Sequence, residues 1–260
     1  MDKRAIGVFD SGLGGFTVLK KIVRELPSEN IIYLGDTARV PYGTRSKKII
    51  TQFARQDINF LLGKNVKTIV IACHTVSSQA GGLLEKETKV PVIDAINPTV
   101  EAIKKENFKK IGIIGTRSTI NSGIYKRKLK NFSVTEKACP LFVPLIEEGE
   151  KGSVIDEMIE RYLGGIKKME LEALVLACTH YPMIRKEIGA YLNGLEMIDP
   201  ADQIVKKLKA LLKEKGLENT SNKKGEKDYF VTDLTERFVK NAERFMGKKI
   251  KESIHEVSIS

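Results

Sequence analysis

The sequence predicts an α/β protein made of two pseudo-symmetric α/β domains with mainly parallel sheets. Three observations carry that expectation. Short apolar runs rich in β-branched residues alternate with helix-like segments along the chain, as parallel strands alternate with crossover helices. Those runs are apolar on consecutive positions, the pattern of strands buried on both faces. Finally, three strand motifs recur at one unchanged offset of 105 residues.

In chain order the strand candidates are AIGVF (5–9), NIIYL (30–34), TIVIAC (68–73), VPVI (90–93), KIGIIG (110–115), LVLAC (174–178) and EMID (196–199). Helical segments lie at 15–26, 46–63, 76–88, 98–107, 152–168 and 200–215. Ile6-Gly7-Val8-Phe9 aligns with Ile111-Gly112-Ile113-Ile114, Val70-Ile71-Ala72-Cys73 with Val175-Leu176-Ala177-Cys178, and Val92-Ile93-Asp94 with Met197-Ile198-Asp199. One apolar tetrad recurs by chance; three at a constant offset indicate an internal repeat. Residues 1–97 and 98–204 therefore read as homologous halves. The remaining segment, 205–260, holds a helix through KKLKALLKEKG, a polar loop (219–227), a short strand DYFVT and a final helix around LTERFVKNAERFMG.

Composition narrows the function classes. With 42% hydrophobic residues and no long period, the chain of 260 residues is globular and not disordered. Lys plus Arg number 44 against 33 Asp plus Glu, a net charge of +11. The excess is spread and lysine-rich, without interleaved aromatics, so it reads as a solvated surface and no nucleic-acid partner is expected. Cys73, Cys139 and Cys178 form no CxxC pair, which favours a reducing compartment over a disulfide framework. The first apolar stretch is broken by Asp10 and Ser11, too short for a signal peptide. No apolar run approaches the roughly 18 residues of a membrane span. The expectation is a cytoplasmic protein with no membrane partner.

Ligands of open parallel sheets bind beyond the carboxyl ends of the strands, and the polar clusters of this sequence fall there. Asp10-Ser11-Gly12-Leu13-Gly14-Gly15 follows the first strand, and Gly35-Asp36 and Pro41-Tyr42-Gly43 follow the second. His74 and Thr75 follow Cys73, Thr116 follows Gly115, and Thr179-His180-Tyr181-Pro182 follow Cys178. The glycine-rich turn fits neither a dinucleotide fingerprint, which needs glycine where Thr17 stands, nor a Walker loop. Helix-end amides beside Asp10 suit a carboxylate accompanied by an ammonium, which describes an amino acid.

A lone cysteine closing a buried strand is ordinarily a small hydrophobe. Here both halves place one at the equivalent repeat position, each followed by Thr and His. Two thiols on opposite sides of a carbon acid could act as thiolate base and thiol acid, removing a proton from one face and returning it on the other. That is racemisation without a cofactor. Asp10, Glu147 and His180 are the acid–base groups best able to bias those thiols. Two other readings of the residues stay open: a metal site of Cys73, Cys178 and His180, although the spacing matches no common zinc motif, and a binding module for acidic amino acids with inert thiols. Cys139 lies outside the repeat and reads as a packing residue.

The motifs DSGLGG (10–15), GDTARVPYG (35–43), ACHTVS (72–77), GTRSTINSGIY (115–125), PLIEEG (144–149), ACTHYP (177–182), DPA (199–201) and the terminal ERF…AERFMG (236–247) together resemble the glutamate racemases, of the aspartate/glutamate racemase superfamily. The resemblance implies a cofactor-independent isomerase that interconverts L- and D-glutamate for peptidoglycan synthesis, with aspartate or another amino acid as the alternative substrate. It implies Cys73 and Cys178 as proton donor/acceptors, Asp10 beside the first, and Glu147 and His180 beside the second. Substrate-binding positions carry over to Asp10, Ser11, Pro41, Tyr42, Gly43, His74, Thr75, Thr116, Thr179 and His180, with no metal ligands. It further implies a homodimer, an active site in an interdomain cleft, and domains of 1–97 plus 205–260 and of 98–204. One departure stands out: where the family typically reads ACNTAS, this chain has His74 and Val76. An imidazole reproduces only part of an amide's hydrogen bonding, and the expectation is that His74 lowers the pKa of Cys73.

Overall fold

The apolar runs and the amphipathic segments between them pair into two parallel sheets in the computed structural model, which describes residues 1–259. The first half forms β1 (Ile6–Asp10), α1 (Gly15–Glu25), β2 (Ile31–Gly35), α2 (Lys47–Gly63), β3 (Thr68–Ile71), α3 (His74–Glu87), β4 (Val92–Asp94) and α4 (Asn97–Lys105). The second forms β5 (Lys110–Gly115), α5 (Arg117–Asn121), α6 (Ile124–Lys128), β6 (Ser133–Ala138), α7 (Phe142–Glu148), α8 (Ser153–Lys167), β7 (Ala173–Ala177), α9 (Arg185–Tyr191), β8 (Glu196–Ile198) and α10 (Pro200–Glu214). Then come β9 (Lys227–Val231), α11 (Glu236–Met246) and β10 (Ile254–Glu256).

The first sheet runs β10-β9-β2-β1-β3-β4 and the second β6-β5-β7-β8. The order β2-β1-β3-β4 is thus repeated as β6-β5-β7-β8, with β1, β3 and β4 matching β5, β7 and β8 at the spacing of the sequence repeat. The chain's last strands extend the first sheet, β9 pairing with β2 from Ile31↔Lys227 to Gly35↔Val231. Strands β1, β3 and β7 are buried at every position, which is why they are legible as unbroken apolar runs. Strand β6 (SVTEKA) escapes that reading because it is an edge strand, half-exposed and polar. The short helices α5, α6, α7 and α9 also lie outside the predicted segments, too brief to show a period.

Helix ends follow local chemistry. Ser46, Thr116 and Thr235 accept from the backbone N–H three residues on, capping α2, α5 and α11. Asp199 caps α10 with Pro200 at its first position. One hydrophobic cluster runs without interruption from Val8, Tyr33 and Val70 of the first sheet, through Leu19, Ile204, Leu208 and Phe245, to Ile114, Leu174 and Leu176 of the second. Helices α1, α10 and α11 fill the space between the sheets.

At the amino end of β3 a buried Lys67 ammonium donates to Glu29, to the Asp2 carbonyl and to the Leu217 carbonyl. Glu29 also accepts from the Asn219 N–H. This buried pair ties the chain start and the segment entering β9 to the first sheet. Lys67→Ala leaves Glu29 buried without its counter-charge, a loss of about 3–5 kcal/mol for such pairs. Urea unfolding should show that loss, and Lys67→Ala combined with Glu29→Leu should recover part of it.

Candidate active site

The carboxyl ends of β1 and β3 deliver Asp10, Ser11 and Cys73 to one place. Beyond β1 the chain turns back over its own carboxylate: the Gly12 N–H donates to Asp10 Oδ2 at 3.1 Å, and Tyr33 Oη donates to the Gly12 carbonyl at 2.5 Å. A Cβ at Gly15 would lie 2.4 Å from Asp10 Cβ and 2.5 Å from Tyr33 Oη, so only glycine allows the turn to close this tightly. Cys73 caps α3 and its Sγ lies 3.4 Å from Ser11 Oγ.

Beyond β7 the second group assembles. Cys178 Sγ is 3.9 Å from His180 Nδ1, and His180 Nε2 is 2.8 Å from Glu147 Oε1 at the end of α7. The two groups touch. Thr17 Oγ1 of α1 donates to the Thr179 carbonyl at 2.7 Å, and a Cβ at Gly14 would lie 2.1 Å from Thr179 Oγ1 and 2.5 Å from His180 Nδ1. A third cluster joins α3 to the cap of α5: Thr75 Oγ1 and Thr116 Oγ1 are 2.9 Å apart, with Gly43 packed over the Thr116 side chain.

Electrostatics separates the two thiol groups. Burial raises the Asp10 carboxyl to about 6 against the pull of the His180 charge and the Gly12 and Gly15 amides. Burial also pushes the Cys73 thiol up to about 12; the Asp10 charge adds to this, and Ser11 and the Val76 amide oppose it without prevailing. At His180 the balance reverses. Burial disfavours the imidazolium, yet the bonds to Cys178 and Glu147 outweigh it and raise His180 to about 10. Cys73 thus has a carboxylate as its charged neighbour, and Cys178 a protonated imidazole.

One expectation is corrected. His74 does not acidify Cys73: burial holds its imidazole neutral, down to about 3, and both ring nitrogens lack a partner, so it has no charge with which to favour a thiolate. The Tyr42 hydroxyl is bonded to Asp36 and lies 3.2 Å from Asp57 Oδ2. Glu147 belongs to the last turn of α7, ended by Gly149 in the left-handed region. Pro41 is exposed. Cys139 is fully buried, and its carbonyl accepts from Tyr181 Oη at 2.8 Å.

Asp57 was not foreseen. It lies fully buried on the face of α2 that carries Ile50, Ala54, Ile58 and Leu61, and a carboxylate at core spacing on an amphipathic helix was the available signal. With Asp36 and Arg39 it braces the turn ahead of Tyr42-Gly43: Arg39 reaches Asp36 Oδ2 at 2.6 Å and Asp57 Oδ1 at 3.1 Å. Among the described residues no group of three or more His, Cys, Asp or Glu side chains is arranged to hold a metal ion.

The family model for Asp/Glu/Hydantoin racemase matches residues 6–208. The chain belongs to the Asp/Glu/hydantoin racemase family. Within that family it is 41% identical over 253 residues to the glutamate racemase of Aquifex aeolicus (strain VF5), covering 96% of each chain. It is likewise 41% identical over 257 residues to a glutamate racemase of Thermus thermophilus, covering 99% of this chain and 97% of the relative. Its fold superposes with a TM-score of 0.93 on the crystal structure of glutamate racemase from Francisella tularensis subsp. tularensis SCHU S4 in complex with D-glutamate, at 40% identity over 99% of this chain and 98% of the other.

Gly14→Ala should displace His180, because the new methyl group occupies the contact between the two thiol groups. The expected outcome is an overpacking loss of about 1–3 kcal/mol and a fall of the His180 titration from about 10 toward the ordinary imidazole range. Denaturation and NMR titration of the histidine ring check both.

Proposed function

We propose that this protein racemises glutamate by a two-thiol, cofactor-independent mechanism, supplying D-glutamate for peptidoglycan synthesis in the cytoplasm. The carrying observation is that two repeat-equivalent cysteines lie just beyond β3 and β7, Cys73 against Ser11 and Cys178 against His180, with Thr17 bonded to Thr179. Relatives named glutamate racemase along the whole chain favour glutamate over aspartate. No helix among the described residues is long and apolar enough to cross a membrane.

In this reading Cys178, beside a protonated His180 held by Glu147, serves as the base, while Cys73 keeps its proton. Cys178 takes the α-proton from one face of the substrate, leaving its electron pair on Cα, delocalised into the adjacent carboxyl group. Cys73 then gives its proton to the opposite face, and the thiols exchange roles for the reverse reaction. The two carboxylates and the ammonium need partners. Asp10 Oδ1 is buried and unpartnered and accepts from the ammonium. Amides at the start of α3 and hydroxyls of Ser11, Thr75, Thr116 and Thr179 donate to carboxylates. The neutral His74 ring offers one donor and one acceptor in place of an amide. The domains of this reading are 1–97 plus 205–260 and 98–204, with the substrate between them and a homodimer as the assembly, which light scattering measures.

Incubation with L-glutamate in deuterated water should bring loss of optical rotation together with deuterium at Cα. Cys73→Ala and Cys178→Ala should each abolish racemisation; racemisation by either variant would sink the two-thiol reading.

The pH dependence of kcat/KM reports free-enzyme groups. Asp10 is ionised above about 6 and His180 stays protonated below about 10. The profile should therefore rise through about 6 and fall through about 10. His180→Asn should remove the alkaline limb. Because His74 is already neutral throughout this range, His74→Asn should change KM and leave both limbs in place.

A further inference from the structure

Glu147 is the hinge of the Cys178 group, since it alone among the acidic side chains bonds His180. Its own position is set from the other sheet. α7 is only 7 residues long; the Gly149 N–H closes back onto the Ile146 carbonyl, and no further helical turn follows. The Ile146 and Glu147 carbonyls also accept from α11, which follows β9 of the first sheet. Asn241 Nδ2 donates to the Glu147 carbonyl at 2.9 Å, and Arg244 Nη2 donates to the Ile146 carbonyl at 2.6 Å and to the Glu147 carbonyl at 3.2 Å. Phe245, on the same helix, stands edge-on to the His180 ring with centroids 5.7 Å apart. The Arg244 guanidinium lies 5.6 Å from that phenyl ring, and a Cβ at Gly149, which lies in the left-handed region, would fall 2.3 Å from Arg244 Nη1. Three residues of one helix turn thus hold both members of the carboxylate–imidazole pair.

We propose that Asn241 and Arg244 are positioning residues for the Glu147–His180 pair, so that α11 governs proton transfer at Cys178 and leaves transfer at Cys73 alone. This rests on the two-thiol reading above and deepens it. Neither residue touches the thiols. Each fixes the backbone of Glu147, whose carboxylate then holds the His180 proton against Cys178. Asp10, Ser11 and Cys73 receive no contact from Asn241 or Arg244 among the described bonds. Loosening the clasp therefore raises one of the two proton-transfer barriers selectively.

The test uses the full-length chain with Asn241→Leu, alone and combined with Arg244→Ala, and reads each reaction direction separately. Cys73→Ala first identifies the enantiomer facing Cys178 as the one whose α-proton still exchanges with deuterated water. The double variant should then lose about tenfold in kcat, part of the 10²–10⁴ that positioned proton transfer supplies. From the enantiomer facing Cys178, the primary isotope effect on α-deuterated substrate should rise. From the opposite enantiomer, solvent deuterium should appear in unreacted substrate at roughly threefold or more the wild-type level per turnover, because its first transfer has become reversible before the second. Arg244→Lys, which keeps a donor for the carbonyls, should restore most of the wild-type partition. Lost activity with unchanged isotope effects and wash-in would mean a merely structural role and overturn the inference, as would full activity in the double variant. If the double variant fails to fold, Asn241→Leu alone decides by the same partition. Should the wild-type enzyme neither racemise nor exchange, the two-thiol reading fails and takes this inference with it.

Discussion

Parallel pairing is the constraint on which the rest depends. With β1 beside β3 and β5 beside β7, all running the same way, the carboxyl ends of the strands in each sheet lie along one edge. Every polar group there comes from a strand whose body is buried and cannot shift register without exposing its apolar side chains. The side chains that follow the strands inherit that fixity. Repetition of the same strand order in the second sheet then provides a second edge of the same kind. The contacts of Gly14 and Thr17 with Thr179 and His180 bring the two edges together.

A repeated strand order produces unlike electrostatics. The Asp10 carboxylate raises the pKa of its neighbour Cys73, whereas Glu147 acts on Cys178 only through an imidazole that changes the sign of the charge the sulfur meets. Burial magnifies both effects, since charge interactions in a water-poor environment are screened far less than at the surface. The lysine-rich exterior contributes little by comparison, because exposed charges beyond about a Debye length are screened.

The C-terminal segment connects these parts. β9 and β10 widen the first sheet, while α11 reaches the second through Asn241 and Arg244. Phe245 and Phe238 enter the same apolar cluster as Leu174 and Tyr181. Residues far apart in sequence therefore share one core, and the group at Cys178 is supported by both halves of the repeat.

Strand and helix positions were legible from the sequence wherever elements are buried on both faces, because such strands carry an unbroken apolar run and long helices carry a period. The repeat was legible because Gly7 and Gly112, and Cys73 and Cys178, keep their register. The repeat singled out Cys73 and Cys178, and the resemblance added positions such as Ser11, Thr75 and Thr116. Strand β6 and helix α7 were not legible, one being a polar edge and the other too short for periodicity, and with α7 went the true setting of Glu147. Sequence determined which groups stand at the strand ends. Tertiary structure alone decided their charges and partners: a neutral buried His74, a Tyr42 hydroxyl turned to Asp36 and Asp57, and a His180 kept protonated by two neighbours. Burial and proximity across distant segments set those states, and neither is written in the local order of residues.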